Sequence, residues 1–246
     1  MSRRIFIGDV HGHYDGLMRL LAIVSLSSVD TLHFVGDLID RGPLSAKVVE
    51  FVRQGKHICV LGNHEHLLLN AFPEERPDTA ALQSWLNSGG QSTLASYSNT
   101  DALLEDVQWF RTLPFSLDLG DIFLVHAGLN PNKDLADQNP IDCCWIRDIF
   151  HACPNPFFKE KTIITGHTIT FTLPGAEPGQ IVRGPGWLGI DTGAYHPRSG
   201  WLSAIDPDND LLYQVNTHTQ AERIRSLEAG TVDIKLANFR PRSIGK

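Results

Sequence analysis

The sequence predicts an α/β fold, because short apolar runs that end in glycine alternate with segments of helical periodicity. The runs at residues 5–8, 32–36 and 57–62 are β-branched or aromatic, and a polar cluster follows each of them. Two helical faces lie between these runs, at Leu17, Leu20, Leu21 and Val24 and at Val48, Val49 and Val52. This alternation predicts βαβ units with a parallel sheet, so the polar clusters should meet at the carboxyl edge of that sheet.

The remainder of the chain predicts a helical insertion and a second sheet. Residues 66–113 have helical patterns broken by proline and glycine, and we interpret them as a cap. Six further strand candidates, joined by Gly/Pro turns, lie at residues 115–119, 122–125, 162–165, 187–190, 200–205 and 211–215. They predict a second, more antiparallel sheet that faces the first. Two mixed β-sheets flanked by helices (αββα) would form a single domain over residues 1–216. Residues 217–246 have no clear period and are expected to be a poorly specified C-terminal tail.

Composition and charge exclude several classes of protein. The net charge is −7, with 21 basic and 28 acidic residues, which argues against nucleic-acid or anionic-membrane partners. No apolar run approaches the roughly 18 residues needed to cross a bilayer, and the N-terminus does not resemble a secretion signal. The cysteines do not form a pair of C-x-x-C hooks and are interpreted as reduced thiols, at Cys59, Cys143, Cys144 and Cys153. We therefore expect a cytoplasmic protein.

Five polar clusters stand at or near strand ends and carry the chemistry. They read Gly-Asp-Val-His-Gly from residue 8, Gly-Asp-Leu-Ile-Asp-Arg-Gly from 36, Gly-Asn-His-Glu from 62, His-Ala-Gly from 126 and Gly-His-Thr from 166. Their carboxylate, amide and imidazole groups are ligands for divalent metal ions. Because buried charges need partners, convergence of so many donors calls for a counter-charge of about two divalent cations.

These motifs resemble those of the calcineurin-like metallophosphoesterases. The pattern GDxHG, GDxxDRG, GNHE, HAG and GH(T) is that of the phosphoprotein phosphatase branch, including bacterial serine/threonine phosphatases, which are related to symmetrical diadenosine tetraphosphatases. All five motifs occur here in the same order, the first three are spaced by 28 and 26 residues, and the match covers roughly residues 5–195. The resemblance implies a metallophosphatase-type sandwich and a binuclear metal centre.

The resemblance also implies a role for each motif residue. Asp9 and His11 would bind one ion, Asp37 would bridge both ions, and the second ion would be bound by Asn63, His126 and His167. Two divalent ions would supply a bridging hydroxide for in-line attack on phosphorus. Mixed nitrogen and oxygen ligation suits Mn²⁺ best, with Fe or Zn²⁺ also suitable.

The same resemblance places the catalytic and phosphate-binding groups. His64 would act as general acid to the leaving alkoxide, and Asp40 would orient it. Arg41, Arg147 and Asn63 would bind the substrate phosphate.

Three segments or residue sets remain open or are expected to have ordinary roles. Residues 83–97, with Trp85, Gly89 and Gly90, resemble an Asn-Gly-Gly segment of bacterial relatives and form either a joint between helices or a substrate contact. Residues 191–195 resemble a structural turn behind the site, with Tyr195 a candidate pocket wall. Ordinary surface or core roles are expected for the histidines His33, His57, His151, His196 and His218.

Three functions are compatible with these residues. The favoured function is that of a serine/threonine phosphatase, and hydrolysis of phosphotyrosine is also compatible with these residues. Its substrate would be a phosphorylated protein or peptide, or a small phosphoester. Asp40 and Glu65 support this function. The symmetrical diadenosine tetraphosphatases typically lack the aspartate of the DRG motif, which is Asp40 here, and carry GNHD, with aspartate in place of Glu65. The alternative is hydrolysis of dinucleoside polyphosphates, such as diadenosine tetraphosphate, or of other nucleotides. A non-catalytic phosphate-binding module is the third, and the sequence leaves the oligomeric state open.

Overall fold

The computed structural model describes residues 2–73 and 77–239, which contain two six-stranded β-sheets and helices around them. The strands are β1 (Arg4–Ile7), β2 (Thr31–Phe34), β3 (Ile58–Cys59), β4 (Ser116–Asp118), β5 (Ile122–Val125), β6 (Thr162–Thr165), β7 (Ile181–Gly184), β8 (Trp187–Gly189), β9 (Trp201–Asp206), β10 (Leu211–Asn216), β11 (Glu222–Ser226) and β12 (Thr231–Asp233).

Both sheets are mixed. The first has the order β11-β10-β9-β1-β2-β3, in which β1, β2 and β3 are parallel and the other three strands are antiparallel to their neighbours. The second has the order β12-β7-β8-β6-β5-β4, with β5, β6 and β8 parallel. The predicted fold of two mixed sheets flanked by helices is confirmed.

Side chains of β1 show how the layers are held together. Phe6 shares a buried cluster with Leu124 and Ile164 of the second sheet, so it lies between the sheets. Ile5 and Ile7 belong to a different cluster, together with Leu17 of the first helix. Alternate residues of a strand point to opposite faces, and both faces of β1 are therefore covered.

Helices occupy the outer layers and the insertion. They are α1 (Tyr14–Val24), α2 (Ser45–Gln54), α3 (Asn63–Ala71), α4 (Thr79–Trp85), α5 (Gln91–Ser96), α6 (Thr100–Phe110), α7 (Pro140–Trp145), α8 (Asp148–His151) and α9 (Leu227–Gly230). A kink at Leu86–Gly90, in which Gly89 has a non-helical φ of +116°, joins α4 to α5. Most residues of 66–73 and 77–113 lie in these helices. Within the described ranges, no helix is both long and apolar enough to cross a membrane.

Two predictions about the C-terminal part are corrected. Strands β9 and β10 extend the first sheet and do not belong to the second, because β9 pairs with β1. The chain beyond residue 216 is also more ordered than predicted, since β11 and β12 each form the edge of one sheet. An edge strand buries little of its surface, and β11 reads Glu-Arg-Ile-Arg-Ser, so it has no apolar run to detect. Residues 240–246 of the predicted tail lie outside the described residues.

Candidate functional site

The polar clusters converge because each follows a strand. Asp9 and Asp37 come after β1 and β2, and Asn63 opens α3 after β3, whereas His126 and His167 follow β5 and β6 of the other sheet. All five side chains are buried. The two sheets therefore contribute to one site at the carboxyl ends of their parallel strands, where open α/β folds bind ligands.

One group of donors surrounds Asn63. Its Oδ1 lies 2.7 Å from His167 Nδ1 and 3.0 Å from His126 Nε2. Asp37 Oδ1 is 3.3 Å from the same His126 nitrogen. His126 Nδ1 donates to the Val35 carbonyl at 2.7 Å, which directs Nε2 towards the other donors. These four side chains, all predicted ligands, are close enough to bind one metal ion.

A second group shares Asp37 with the first. His11 Nε2 is 3.6 Å from Asp37 Oδ2, and His11 Nδ1 donates to the Ile39 carbonyl at 2.9 Å. The third member is His64, whose Nε2 is 4.0 Å from Asp37 Oδ2. Asp37 is thus the carboxylate common to both groups, which is the position that a bridging ligand requires.

Asp9 lies outside both groups of candidate ligands found among the described residues. Its carboxylate accepts the backbone N–H of His167 at 3.0 and 3.2 Å, so it joins the first sheet to the loop after β6. The sequence prediction that Asp9 binds a metal ion stays a prediction.

Buried charges make this site a good fit for divalent cations. Burial raises the pKa of Asp9, and the charges of Asp191 and Asp37 raise it further. Burial also raises the pKa of Asp191 to about 6. Burial lowers the pKa of His11 and of His167, which favours the neutral rings that bind metals. Repelling carboxylates beside neutral imidazoles need a positive counter-charge, and a divalent ion would supply it.

The predicted acid and its partner form a buried pair. His64 Nδ1 lies 2.6 Å from Asp40 Oδ2, and both side chains are almost completely buried. His64 Nε2 faces the Asp37 carboxylate, so this ring lies between Asp40 and the candidate metal centre. Trp85 and Thr93 of the insertion also hydrogen-bond to the Asp40 carboxylate. Sequence analysis did not assign these two contacts, although it singled out the segment that contains both residues.

The two predicted phosphate-binding arginines line one cavity. This cavity has a volume of about 150 Å³, and Asp37, Asn63 and Tyr195 are among the other residues that line it. The Arg41 guanidinium lies 4.0 Å from the centre of the Tyr195 ring, a cation–π contact. Arg147 donates to the His167 carbonyl at 3.2 Å and to Thr168 Oγ1 at 3.1 Å. The cavity therefore brings cationic groups beside the candidate metal ligands.

Glu65 connects the loops and does not face the candidate metal centre. Its carboxylate accepts the backbone N–H groups of Asp37, Leu38 and Gly62 at 2.9, 2.8 and 3.0 Å. These bonds hold the loop after β2 against the start of α3. Glu65 thus fixes the backbone that carries Asp37 and Asn63.

Comparison with known proteins assigns the chain to a family. The sequence profile of the calcineurin-like phosphoesterases matches residues 2–219. The chain belongs to this family. Calcineurin-like phosphoesterases are hydrolases that use divalent metals, so the donor groups described above are this chain's candidate metal ligands.

Curated relatives of this calcineurin-like phosphoesterase include symmetrical bis(5'-nucleosyl)-tetraphosphatases. A symmetrical bis(5'-nucleosyl)-tetraphosphatase from Nitrosococcus oceani is 41% identical over 137 residues, which are 53% of this chain and 45% of the relative. Its counterpart from Klebsiella pneumoniae is 37% identical over 162 residues, 63% of this chain and 52% of the relative. The matched part thus spans about half the length of these relatives.

Solved structures share the fold at low sequence identity. A proposed diadenosine tetraphosphatase has a TM-score of 0.64 at 23% identity, covering 87% of this chain and 93% of that protein. A protein serine/threonine phosphatase from Saccharomyces cerevisiae has a TM-score of 0.57 at 16% identity, covering 84% and 73%. The same architecture therefore occurs in proteins named for two different substrates.

Proposed function

We propose that this calcineurin-like phosphoesterase hydrolyses dinucleoside polyphosphates, such as diadenosine tetraphosphate. The observation that carries the proposal is the 41% identity to a symmetrical bis(5'-nucleosyl)-tetraphosphatase across the part of the chain that matches. This gives more weight to the alternative than to the serine/threonine phosphatase that the sequence favoured. The substrate is proposed for this chain because the match covers about half of the relative.

The site has the groups that phosphate hydrolysis needs. Asp37, His11, Asn63, His126 and His167 would hold the divalent ions, with Asp9 as a further predicted ligand, and Mn²⁺ is the expected metal. When bound, such ions supply a water of lowered pKa and neutralise phosphate oxygens. Arg41 and Arg147 bind the remaining oxygens and take up charge as it develops.

A neighbouring cavity provides room for a substrate larger than a phosphate. It has a volume of about 280 Å³ and shares Thr172 with the cavity that Arg147 lines. Its other lining residues include Leu173, Pro174, Asn238 and Phe239. Leu173, Pro174 and Phe239 form an apolar side with an amide nearby, which suits a flat heteroaromatic base, whereas Asp148, Thr168 and Thr172 form the polar side. This supports a nucleotide substrate, one part of which lies beyond the reacting phosphate.

Phosphoserine or phosphothreonine hydrolysis is the second candidate, and the Asp40–His64 pair favours it. An alkoxide is a poor leaving group and needs a proton from a general acid, whereas a nucleotide leaves as a stable phosphate anion. His64 Nδ1 lies 2.6 Å from Asp40 Oδ2, so the ring is oriented to carry that proton on Nε2. The Asp40–His64 pair would therefore accelerate the hydrolysis of a phosphoprotein more than the hydrolysis of a dinucleotide.

The two candidates differ in the product that is released. We expect purified protein with Mn²⁺ to release ADP from diadenosine tetraphosphate faster than it releases phosphate from phosphoserine, phosphothreonine or phosphotyrosine peptides. A chelator should abolish both reactions, because the ions supply the attacking water. Faster hydrolysis of the peptides would reject the dinucleotide proposal and support the second candidate. Inactivity on all substrates would favour a binding module.

A further inference from the structure

Asp40 and Arg41 have unusual backbone conformations. Their φ angles are +72° and +70°, in the left-handed region that residues other than glycine seldom adopt. Two such residues in succession cost conformational free energy, and they persist only where surrounding contacts hold them. The contacts that hold this pair come in large part from the helical insertion.

Thr93 and Trp85 hold Asp40. The Thr93 hydroxyl accepts the Asp40 backbone N–H at 2.8 Å and donates to Asp40 Oδ1 at 2.7 Å. Trp85 Nε1 lies 3.1 Å from each carboxylate oxygen. Trp85, Thr93 and Asp40 are completely buried, so no water competes for these bonds. The remaining strong contact of the carboxylate is His64 Nδ1, at 2.6 Å from Oδ2.

Gly89 holds Arg41. The Arg41 backbone N–H donates to the Gly89 carbonyl at 3.2 Å. Gly89 has a φ of +116°, and a Cβ placed on it would lie 2.9 Å from Arg41 Cγ and 3.2 Å from Arg41 N. Glycine is therefore required at position 89, both because of its backbone conformation and because Arg41 lies so close to it.

We propose that residues 85–93, the positioning segment, set the geometry of Asp40 and Arg41 on the loop after β2. Trp85 and Thr93 orient the Asp40 carboxylate and, through it, the His64 ring. Gly89 places the backbone from which Arg41 reaches the phosphate cavity. The segment would then be neither a passive joint between helices nor a direct substrate contact, but a support that orients other residues of the site. The proposal rests on phosphoester hydrolysis at this site and not on the choice of substrate.

A leaving-group series tests the contact with Asp40. Thr93→Val removes the hydroxyl at nearly constant volume, and Trp85→Phe removes the indole N–H. We expect each to lower kcat by roughly tenfold for phenyl phosphate, a poor leaving group, and by less than about threefold for p-nitrophenyl phosphate. KM should change little, because the phosphate-binding arginines are intact. Thr93→Ser keeps a hydroxyl and should restore the wild-type ratio.

Matched controls separate positioning from stability. Trp109→Phe makes the same replacement in α6 of the same insertion and should leave both rates unchanged. A variant that is merely less stable loses active protein, so its two rates fall by the same factor. Equal losses on both substrates in Thr93→Val and Trp85→Phe would therefore overturn the proposal.

A spectroscopic measurement tests the same contact without any substrate. The His64 Nδ1 proton should resonate far downfield in ¹⁵N-histidine NMR spectra because of its short bond to Asp40. Thr93→Val and Trp85→Phe should shift this signal, whereas Trp109→Phe should not. An unchanged signal in both would reject the proposal even if the protein hydrolysed none of the substrates tested, so this failure is distinguishable from failure of the proposed function.

The contact with Arg41 predicts a different kinetic effect. Gly89→Ala should displace Arg41 and weaken inhibition by inorganic phosphate about tenfold or more, as expected for loss of a charge-assisted hydrogen bond. Its effect on hydrolysis should be the same for both aryl phosphates, because Asp40 and His64 retain their contacts. Unchanged phosphate inhibition would show that Gly89 does not position Arg41.

Discussion

Buried histidines in this protein differ in what their rings face. His11 and His126 each donate Nδ1 to a backbone carbonyl and direct Nε2 towards Asp37. His33 on β2 is equally buried, but its ring stacks on Phe6 with 4.7 Å between ring centres. Burial alone therefore does not make a histidine a metal ligand, since its second ring nitrogen must also lie close to other ligand atoms. The expected core role of His33 agrees with this packing.

His33 should make folding sensitive to acid. Burial lowers its pKa below the ordinary value of 6.5, so the unfolded chain binds a proton at a higher pH than the folded protein does. The contribution of His33 to stability is present above pH 6.5 and is lost as the pH falls towards the pKa of the folded protein. The loss amounts to about 1.4 kcal/mol for each unit by which the folded pKa lies below the unfolded pKa. We expect His33→Phe, which keeps the stack, to flatten the decline in unfolding free energy between about pH 7 and pH 5.

Urea unfolding at several pH values measures this effect. His218→Phe changes an exposed ring in the same way and serves as the control. A decline in His33→Phe as steep as that of the wild type would show that His33 does not contribute to acid sensitivity.

Elements that sequence analysis missed join the two edges of the sandwich. β11 ends where α9 begins, and β12 follows α9 directly, so a short helix passes from the first sheet to the second. Leu227 of α9 is 8% exposed and packs in the cluster between the sheets. One apolar side chain thus anchors a segment whose two strands contain only half-buried and exposed residues.

Leu227→Ala should destabilise the whole fold. Removing a largely buried leucine side chain costs about 2–3 kcal/mol of unfolding free energy, at the lower end of the range for core leucines. Ile224→Ala is the matched control, because Ile224 on β11 is 54% exposed. Thermal and urea unfolding followed by circular dichroism would measure both. Equal destabilisation by the two substitutions would show that Leu227 is not the anchor.

These elements also show what sequence can predict. Runs such as residues 5–8 and 32–36 bury both faces of a strand, and the glycine that ends each one marks where the chain turns into the site. Hydrophobic pattern does not encode the partner of a strand, so β9 was placed in the wrong sheet. The Trp85 and Thr93 contacts depend on the geometry of a kink between two short helices, which residue order does not reveal.

The site itself links the halves of the molecule. Asp37 and Asn63 follow strands of the first sheet, whereas His126 and His167 follow strands of the second. An ion bound by all four would join the sheets at their carboxyl ends and would bind the folded chain alone, because the unfolded chain does not bring these residues together. Metal binding should therefore stabilise the whole domain and not only order its loops.

Manganese should raise the free energy of unfolding by about 2.7 kcal/mol when its free concentration is a hundred times its dissociation constant. Asp37→Asn should lose this stabilisation, both bound ions and hydrolysis, because Asp37 is the carboxylate shared by the two donor groups. Asp118→Asn alters an exposed carboxylate that pairs with Lys161 and should keep the full response to manganese. Metal content, unfolding and phosphate release, measured on the same samples, test all three losses. If Asp37→Asn keeps both the stabilisation by manganese and full activity, Asp37 is not a shared bridging carboxylate. If it loses activity but keeps the stabilisation by manganese, Asp37 acts in the reaction and is not needed to bind the metal.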